Sequence, residues 1–124
     1  MKNIPVQMGG FKLMVTEAPV MKMQEKDGAT VPMTDKQGVA QFVVMLFAKR
    51  RPEPGEFAQK GEEIKVTLAA DPGEGFEEGV YVELIGATVS SYQLQTEDGR
   101  TLAGLSFKAQ GLKPAGSGAA QVAA

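Results

Sequence analysis

Short runs of alternating polarity, separated by clusters of glycine, proline and aspartate, dominate this sequence. Residues 62–70 read EEIKVTLAA, in which every second position from Ile64 to Leu68 is apolar and the positions between are polar or charged. This period of two predicts a strand with one buried face, because successive side chains of a strand point to opposite sides of a sheet. No stretch of comparable length has the period of a helix.

The same pattern predicts five long strands and no helix. The run VAQFVVMLFA at 39–48 is apolar enough for a buried helix, but its β-branched and aromatic residues and its glycine and proline borders favour a strand. We expect a bend near Pro19 in the first strand and a bulge or bend at Gly86 in the fourth. The five predicted strands cover residues 10–24, 39–48, 62–70, 80–95 and 101–112.

Two turn signals lie between the first and second strands. The sequences EKDG at 25–28 and TDKQG at 34–38 are typical of turns, and Val31 and Met33 lie between them. This spacing predicts a two-stranded arm that projects from the sheet.

Five strongly bent strands predict an all-β domain, most simply a five-stranded antiparallel OB-like barrel with the hairpin arm projecting from it. An SH3-like barrel or an open sandwich remains an alternative. With 124 residues, one domain is expected. We assign it to residues 1–112 and expect 113–124, which are rich in small residues, to form a flexible tail.

Composition limits the chemistry of the protein. Cysteine and histidine are both absent, so thiol chemistry and the commonest general base and zinc ligand are excluded. The acidic loop DPGEGFEEG at 71–79 matches neither an EF-hand nor a phosphate-binding loop. We therefore predict a protein that is not an enzyme and has no cofactor, no metal and no small-molecule substrate.

The sequence also bears on location. No apolar run is long enough for a membrane helix, and the segment MKNIPVQMGG has no apolar stretch typical of a secretory signal. Together with the absence of cysteine, this favours a cytoplasmic protein without membrane attachment.

Charge is distributed unevenly along the chain. Seven of the 15 acidic residues lie between Asp71 and Asp98, where there is no Lys or Arg. The rest of the chain carries all 13 cations against the other 8 acids, a balance of +5. One side of the molecule could therefore bind a polyanion despite a net charge of −2.

Three consecutive cations, Lys49, Arg50 and Arg51, end the most apolar strand. Cations at the end of a strand can contact phosphates. The same cluster can equally act as a charged cap that protects an apolar strand from aggregation. From the residues alone these two interpretations stay open.

Aromatic residues are candidates for stacking on nucleic-acid bases. Phe42 and Phe47 have opposite parity on one strand, so at most one of them faces the core. Phe107 is in phase with an apolar face and is expected in the core. Tyr81 and Tyr92 are the better candidates for exposed rings, although Tyr81 could instead lie in a dimer interface.

The order of these segments resembles that of the single-stranded DNA-binding proteins of filamentous phages and, to a lesser degree, of small replication-associated proteins of actinobacterial plasmids. The resemblance spans about residues 10–115 as a pattern of strands and turns, without one diagnostic motif. The matching pieces are KQG at 36–38, IKVTL at 64–68, GVYV at 79–82 and LKPA at 112–115.

The resemblance implies an OB-like homodimer that coats single strands without sequence preference, with a basic and aromatic wing. Lys36 matches a basic position of that wing. The aromatic position that follows in the family falls at Gln41 here, or at Phe42 if the register moves by one. The loop at 49–60 is longer than in the family, so its cations are assigned by their chemistry alone.

We therefore predict a single-stranded DNA-binding protein that serves the replication of a phage or mobile element, with RNA left open as a further ligand. An assembly module that binds no nucleic acid is the alternative, and an enzyme that uses carboxylates with lysine is a more distant one. The predicted nucleic-acid-binding residues are Lys36, Gln41, Phe42, Lys49, Arg50, Arg51, Lys60, Lys65 and Tyr92.

Overall fold

A computed structural model describes residues 2–55, 57 and 60–115. In this part of the chain all regular structure is β, as the sequence predicted. No helix in these residues could cross a membrane.

Ten strands form two sheets. Eight of them pair in the order β1-β8-β9-β6-β5-β2-β7-β10 into a strongly curled half-barrel, and β3 and β4 form a separate two-stranded sheet. The strands are β1 (Ile4–Pro5), β2 (Phe11–Met21), β3 (Met23–Lys26), β4 (Ala29–Pro32), β5 (Phe42–Arg50), β6 (Glu62–Leu68), β7 (Tyr81–Ile85), β8 (Thr88–Gln95), β9 (Thr101–Ala109) and β10 (Gly111–Pro114).

The core lies on the concave face of the curled sheet. Alternation places Val44 and Leu46 of β5 and Val66 of β6 on this face, where all three are almost completely buried. The intervening side chains point to the opposite, outer face. The other large apolar residues of the core cluster are Leu13, Val15, Ile64, Leu68, Phe76, Val82 and Leu112.

The main sheet has eight strands where the sequence predicted five, because two predicted strands are each broken by a corner and the short strand β1 is added. Gly86 has φ of 62° and separates β7 from β8, and Gln110 separates β9 from β10. The corners lie side by side, since the Gln110 amide N–H donates to the Ile85 carbonyl at 2.7 Å. Strands β7 and β8 pair with β10 and β9 as one long hairpin. This hairpin therefore bends as one unit, and its two halves, β7–β10 and β8–β9, pair with different neighbours.

The two halves of this bent hairpin join opposite ends of the strand order β2-β5-β6. On one side β7 pairs antiparallel with β2, at Leu13–Val82 and Met14–Tyr81. On the other side β9 pairs with β6 in parallel, from Val66–Phe107 to Leu68–Ala109. Irregular register along β2 adds to the curl, and the predicted bend near Pro19 lies in this part of β2.

A two-stranded hairpin lies where the sequence predicted the arm. Strands β3 and β4 form a hairpin that turns at Asp27 and Gly28 and pairs with no strand of the main sheet. At its base, the Lys22 amide N–H donates to the Gln41 carbonyl, and the Met33 amide N–H donates to the Lys22 carbonyl. These bonds connect the arm and residues 33–41 to the ends of β2 and β5.

The boundary expected at residue 112 lies inside a strand. Strand β10 continues to Pro114, and Ala115 is buried and donates its amide N–H to the Tyr81 carbonyl. The rest of the predicted tail, 116–124, lies outside the described residues.

Candidate nucleic-acid interface

A row of outward-facing residues crosses five adjacent strands of the sheet. The register pairs Val20 of β2 with Val43 of β5, Val43 with Thr67 of β6, Thr67 with Lys108 of β9, and Lys108 with Thr88 of β8. Neighbouring strands are about 4.8 Å apart, so side chains in such a row are direct neighbours. One continuous surface therefore runs across the outer face from β2 to β8.

Lys22 reaches this surface from the end of β2. Its backbone is held by the two hydrogen bonds at the base of the arm, so the side chain starts from a defined position. Its Nζ then donates to the Thr67 Oγ1 at 3.3 Å. Thr67 is only 8% exposed, and this contact places a positive charge over β6.

Two further lysines approach the Lys22 ammonium group. Lys65 lies two positions before Thr67 on the same face of β6, and Lys108 is the partner of Thr67 on β9. Partial burial lowers the pKa of Lys22 below its usual value, and the nearby charges of Lys65 and Lys108 lower it further. Three cations therefore repel one another here, an arrangement that a bound anion would relieve.

Within residues 2–55, 57 and 60–115 no acidic side chain forms an ion pair with these three lysines. The ion pairs in that part of the chain include Arg100 with Asp98 and Lys113 with Glu83. Glu63, two positions before Lys65 on the same face, accepts a hydrogen bond from Thr16 at 2.8 Å. The Glu63 carboxylate therefore lies near the three lysines Lys22, Lys65 and Lys108, here called the lysine cluster, without forming an ion pair with them.

An aromatic ring lies on the same face beyond the lysine cluster. Tyr92 of β8 is 42% exposed and is the cross-strand partner of Gly104 of β9. A Cβ atom on Gly104 would lie 2.5 Å from the Tyr92 hydroxyl oxygen and 2.7 Å from Cζ. The ring therefore lies across the bare backbone of Gly104 and needs the absence of a side chain there.

The sequence-predicted residues fall into three groups. The first group is Lys65, which is a member of the lysine cluster, and Tyr92, which lies on the same outer face. In the second, Lys36 is exposed in the turn beyond the arm, and Gln41 contributes its backbone carbonyl to the positioning of Lys22. Phe42 has the inward parity of β5 and packs against the core cluster, so its ring lies on the other side of the sheet from Tyr92.

The third group lies at the far end of β5. Lys49 and Arg50 end this strand, which is 9 residues long and therefore spans about 26 Å from the end near Lys22. Arg50 is five positions from Met45, the partner of Lys65, so Arg50 and Lys65 have opposite parity and do not share a face. Arg51 and Lys60 are exposed on the connection to β6.

Sequence reasoning missed two members of the lysine cluster. Lys108 carries a recognisable signal, because it alternates with Phe107 and Ala109 and so had to face outward. Lys22 carries none, since its position over β6 depends on backbone bonds to residues 33 and 41, which are remote in the sequence.

The exposure of Tyr92 and Tyr81 that the sequence predicted is confirmed, at 42% and 48%. The packing of Phe107 against the core is confirmed as well. Tyr81 lies on β7, which three strands separate from β9 in the sheet order. Tyr92 is therefore the tyrosine that accompanies the lysine cluster.

The described ranges contain no group of three or more acidic side chains close enough to hold a metal ion. No protein-family model matches the chain, and no curated protein matches it significantly. The fold and the arrangement of the outer face are therefore the features of the protein that bear on its function.

Proposed function

We propose that this protein binds single-stranded DNA without sequence preference and serves the replication of a phage or mobile element. The observation that carries the proposal is the lysine cluster. Three ammonium groups without acidic partners share one sheet face with an exposed tyrosine. Proteins that bind single strands without sequence preference combine such a positive surface with aromatic rings on which bases stack.

The pattern of strand pairing supports an OB-like barrel. If β7 with β8 and β9 with β10 each count as one bent strand, five strands follow one another around the molecule. Each pairs antiparallel with the next except β6 and β9, which are parallel. OB-folds bind oligonucleotides on the face of their second and third strands and on the loops that follow the first and fourth.

The lysine cluster matches this location. The second and third strands are β5 and β6, and Lys65 and Thr67 lie on the outer face of β6. The connection after the first strand contains the arm and, in the turn beyond it, Lys36, and the connection after the fourth is the turn at 96–100. The proposed path of the single-stranded DNA thus runs from the arm, over the lysine cluster, to Tyr92.

The chemistry of these groups fits an unspecific mode of binding. Lysine ammonium groups contact phosphates as point charges and read no base sequence. A tyrosine ring stacks on any base, because every base has an aromatic face. Binding releases condensed counterions, so the affinity should fall steeply with salt.

The test is a titration of labelled oligo-dT, followed by fluorescence anisotropy at about 50 mM and about 200 mM salt. Three phosphate contacts predict a slope of log affinity against log salt of about −2, since each contributes about 0.7 for single strands. Oligo-rU and a DNA duplex serve as parallel ligands, and the first decides the open question of RNA. Absence of oligo-dT binding even at the lower salt concentration would rule out the proposal.

A homodimer remains part of the proposal, and apolar exposure on the β8–β9 hairpin favours it. Leu94 and Leu102 are cross-strand partners on the outer face that are 57% and 53% exposed, and Leu105, on the opposite face of β9, is 60% exposed. This apolar exposure also favours the second candidate function, an assembly module that binds no nucleic acid. Sedimentation velocity together with the titration separates the two, because the module would self-associate without binding oligo-dT.

A further inference from the structure

A polar cleft adjoins the exposed tyrosine at the edge of the sheet. It has a volume of about 320 Å³, at the lower end of the range for sites that hold small ligands. One wall is the segment before β1, with Lys2 and Asn3, and the opposite wall consists of β8 and β9. The residues that line it are Lys2, Asn3, Ser90, Ser91, Tyr92, Ser106 and Lys108.

The wall before β1 is held in place by specific contacts. The backbone N–H of Asn3 donates to the Ser90 Oγ at 2.7 Å, and Ser90 is buried. The Ser90 hydroxyl in turn faces the Asn3 Oδ1 at 3.5 Å. Asn3 has φ of 50°, a left-handed conformation that asparagine tolerates better than most residues. Asn3 is therefore fixed over β8 with its side chain at the cleft.

We infer that this cleft holds one nucleotide, with the phosphate between Lys2 and Lys108, the base on the ring of Tyr92, and polar contacts to Asn3 and Ser106. This inference rests on the proposed function and extends it to a defined subsite. Lys108 belongs both to the cleft and to the lysine cluster, so the subsite is continuous with the proposed path of the strand.

The three kinds of group in the cleft match the three parts of a nucleotide. Two lysines that flank the cleft can bind an anion from both sides. The ring of Tyr92, which lies across Gly104 and is 42% exposed, presents an aromatic surface to a base. Amide and hydroxyl groups such as those of Asn3 and Ser106 donate to and accept from sugar and base atoms.

The chain offers a direct optical readout of the base contact. It has no tryptophan and two tyrosines, so a Tyr81→Phe variant leaves Tyr92 as its single tyrosine. We expect oligo-dT to quench the emission of this variant, with the same dissociation constant that anisotropy of a labelled oligo-dT reports. Titration with dTMP distinguishes a free nucleotide from a nucleotide within a strand, and we expect quenching by dTMP at much higher concentrations, because a single phosphate gains nothing from the rest of the path.

Two substitutions test the walls of the cleft. Tyr92→Ala should weaken oligo-dT binding about tenfold, as loss of one stacked base does. Asn3→Asp retains the shape of the side chain but places a carboxylate beside the phosphate, and it should weaken binding several-fold. Gln93→Glu is the matched control, since it adds the same charge on the opposite face of β8 and should leave affinity unchanged. Thermal unfolding of each variant shows that the fold is retained.

The outcomes separate this inference from the proposed function. Binding of oligo-dT without quenching of Tyr92, or equal effects of Asn3→Asp and Gln93→Glu, would overturn the nucleotide subsite and leave the lysine cluster as the binding surface. Absence of oligo-dT binding in the wild-type protein would overturn both. Quenching by oligo-dT together with a selective loss in Asn3→Asp would support the subsite.

Discussion

The Lys22 Nζ lies 3.3 Å from the Thr67 Oγ1, although the two residues are 45 positions apart in the chain. This hydrogen bond joins the base of the arm to the middle of the sheet. It also brings the Lys22 ammonium group close to those of Lys65 and Lys108, which lower its pKa after the larger effect of partial burial. The repulsion among these three ammonium groups in the free protein is therefore located at the surface that is proposed to bind DNA.

The first prediction concerns the stability of the free protein. Lys22→Met retains an unbranched apolar stem but removes one of three like charges, each worth a few tenths of a kcal/mol in repulsion. We expect the free energy of unfolding in urea at pH 7 and low salt to rise by about 0.3–0.5 kcal/mol, while affinity for oligo-dT falls. Lys60→Met, exposed on the connection between β5 and β6 and off the proposed path of the DNA strand, is the control and should change neither quantity. A lower stability of Lys22→Met would show that its hydrogen bond to Thr67 outweighs the repulsion.

The second prediction concerns pH. Because the pKa of Lys22 is lowered in the folded state, the unfolded chain binds more protons than the folded one in the window between that lowered value and the usual 10.5. The contribution of Lys22 to the free energy of unfolding therefore rises with pH across this window. We expect the stability advantage of Lys22→Met, measured by urea unfolding, to shrink as the pH increases toward 10.5. A constant difference between the two proteins would contradict the lowered pKa.

The third prediction separates the two cationic regions. Lys65→Glu with Lys108→Glu reverses two members of the lysine cluster, whereas Arg50→Glu with Arg51→Glu reverses the cations at the far end of β5. We expect the lysine variant to lose much more affinity for oligo-dT and to lower the salt slope by about 1.4, two contacts at about 0.7 each. A larger loss in the arginine variant would move the DNA path to the end of β5, as the cluster at 49–51 first indicated.

The fourth prediction tests the corner between β7 and β8. Gly86 has φ of 62°, and a Cβ atom there would lie 3.1 Å from the Gln110 Cγ. Gly86→Ala should lower the free energy of unfolding by about 1–2 kcal/mol, the cost of a left-handed conformation in a residue with a side chain. Gly86→Asn should cost less, since asparagine visits this conformation more readily. Equal losses would indicate that contact with Gln110, and not the backbone angle, sets the cost.

Alternation in the sequence predicts the faces of β5 and β6 well. Val44, Leu46 and Val66 are buried where the pattern requires, and the glycine at 86 marks a corner as expected. The division of the last two long strands was not predictable, because it depends on the pairing of each half with β2 or β6. Such pairings depend on residues that are far apart in the chain and leave no local pattern.

The binding surface was predictable only in part, for the same reason. Lys65 and Tyr92 lie within regular alternating runs, so their outward direction follows from their neighbours. A consecutive run such as 49–51 is conspicuous in a sequence, but alternation sends Lys49 and Arg50 to opposite sides of the sheet. Cations that meet in space, such as Lys22 and Lys108, are 86 positions apart and are not conspicuous.

The parallel contact between β6 and β9 has a consequence for how the chain reaches its native state. Residues 66–68 meet residues 107–109 only after about 40 intervening residues have been brought into a closed loop, and the entropy of closing that loop is lost before the contact repays it. The β8–β9 hairpin is local and can form early. We therefore expect the docking of this hairpin onto β6 to be the late, slow event of refolding, and the lysine cluster to be assembled only in that final step.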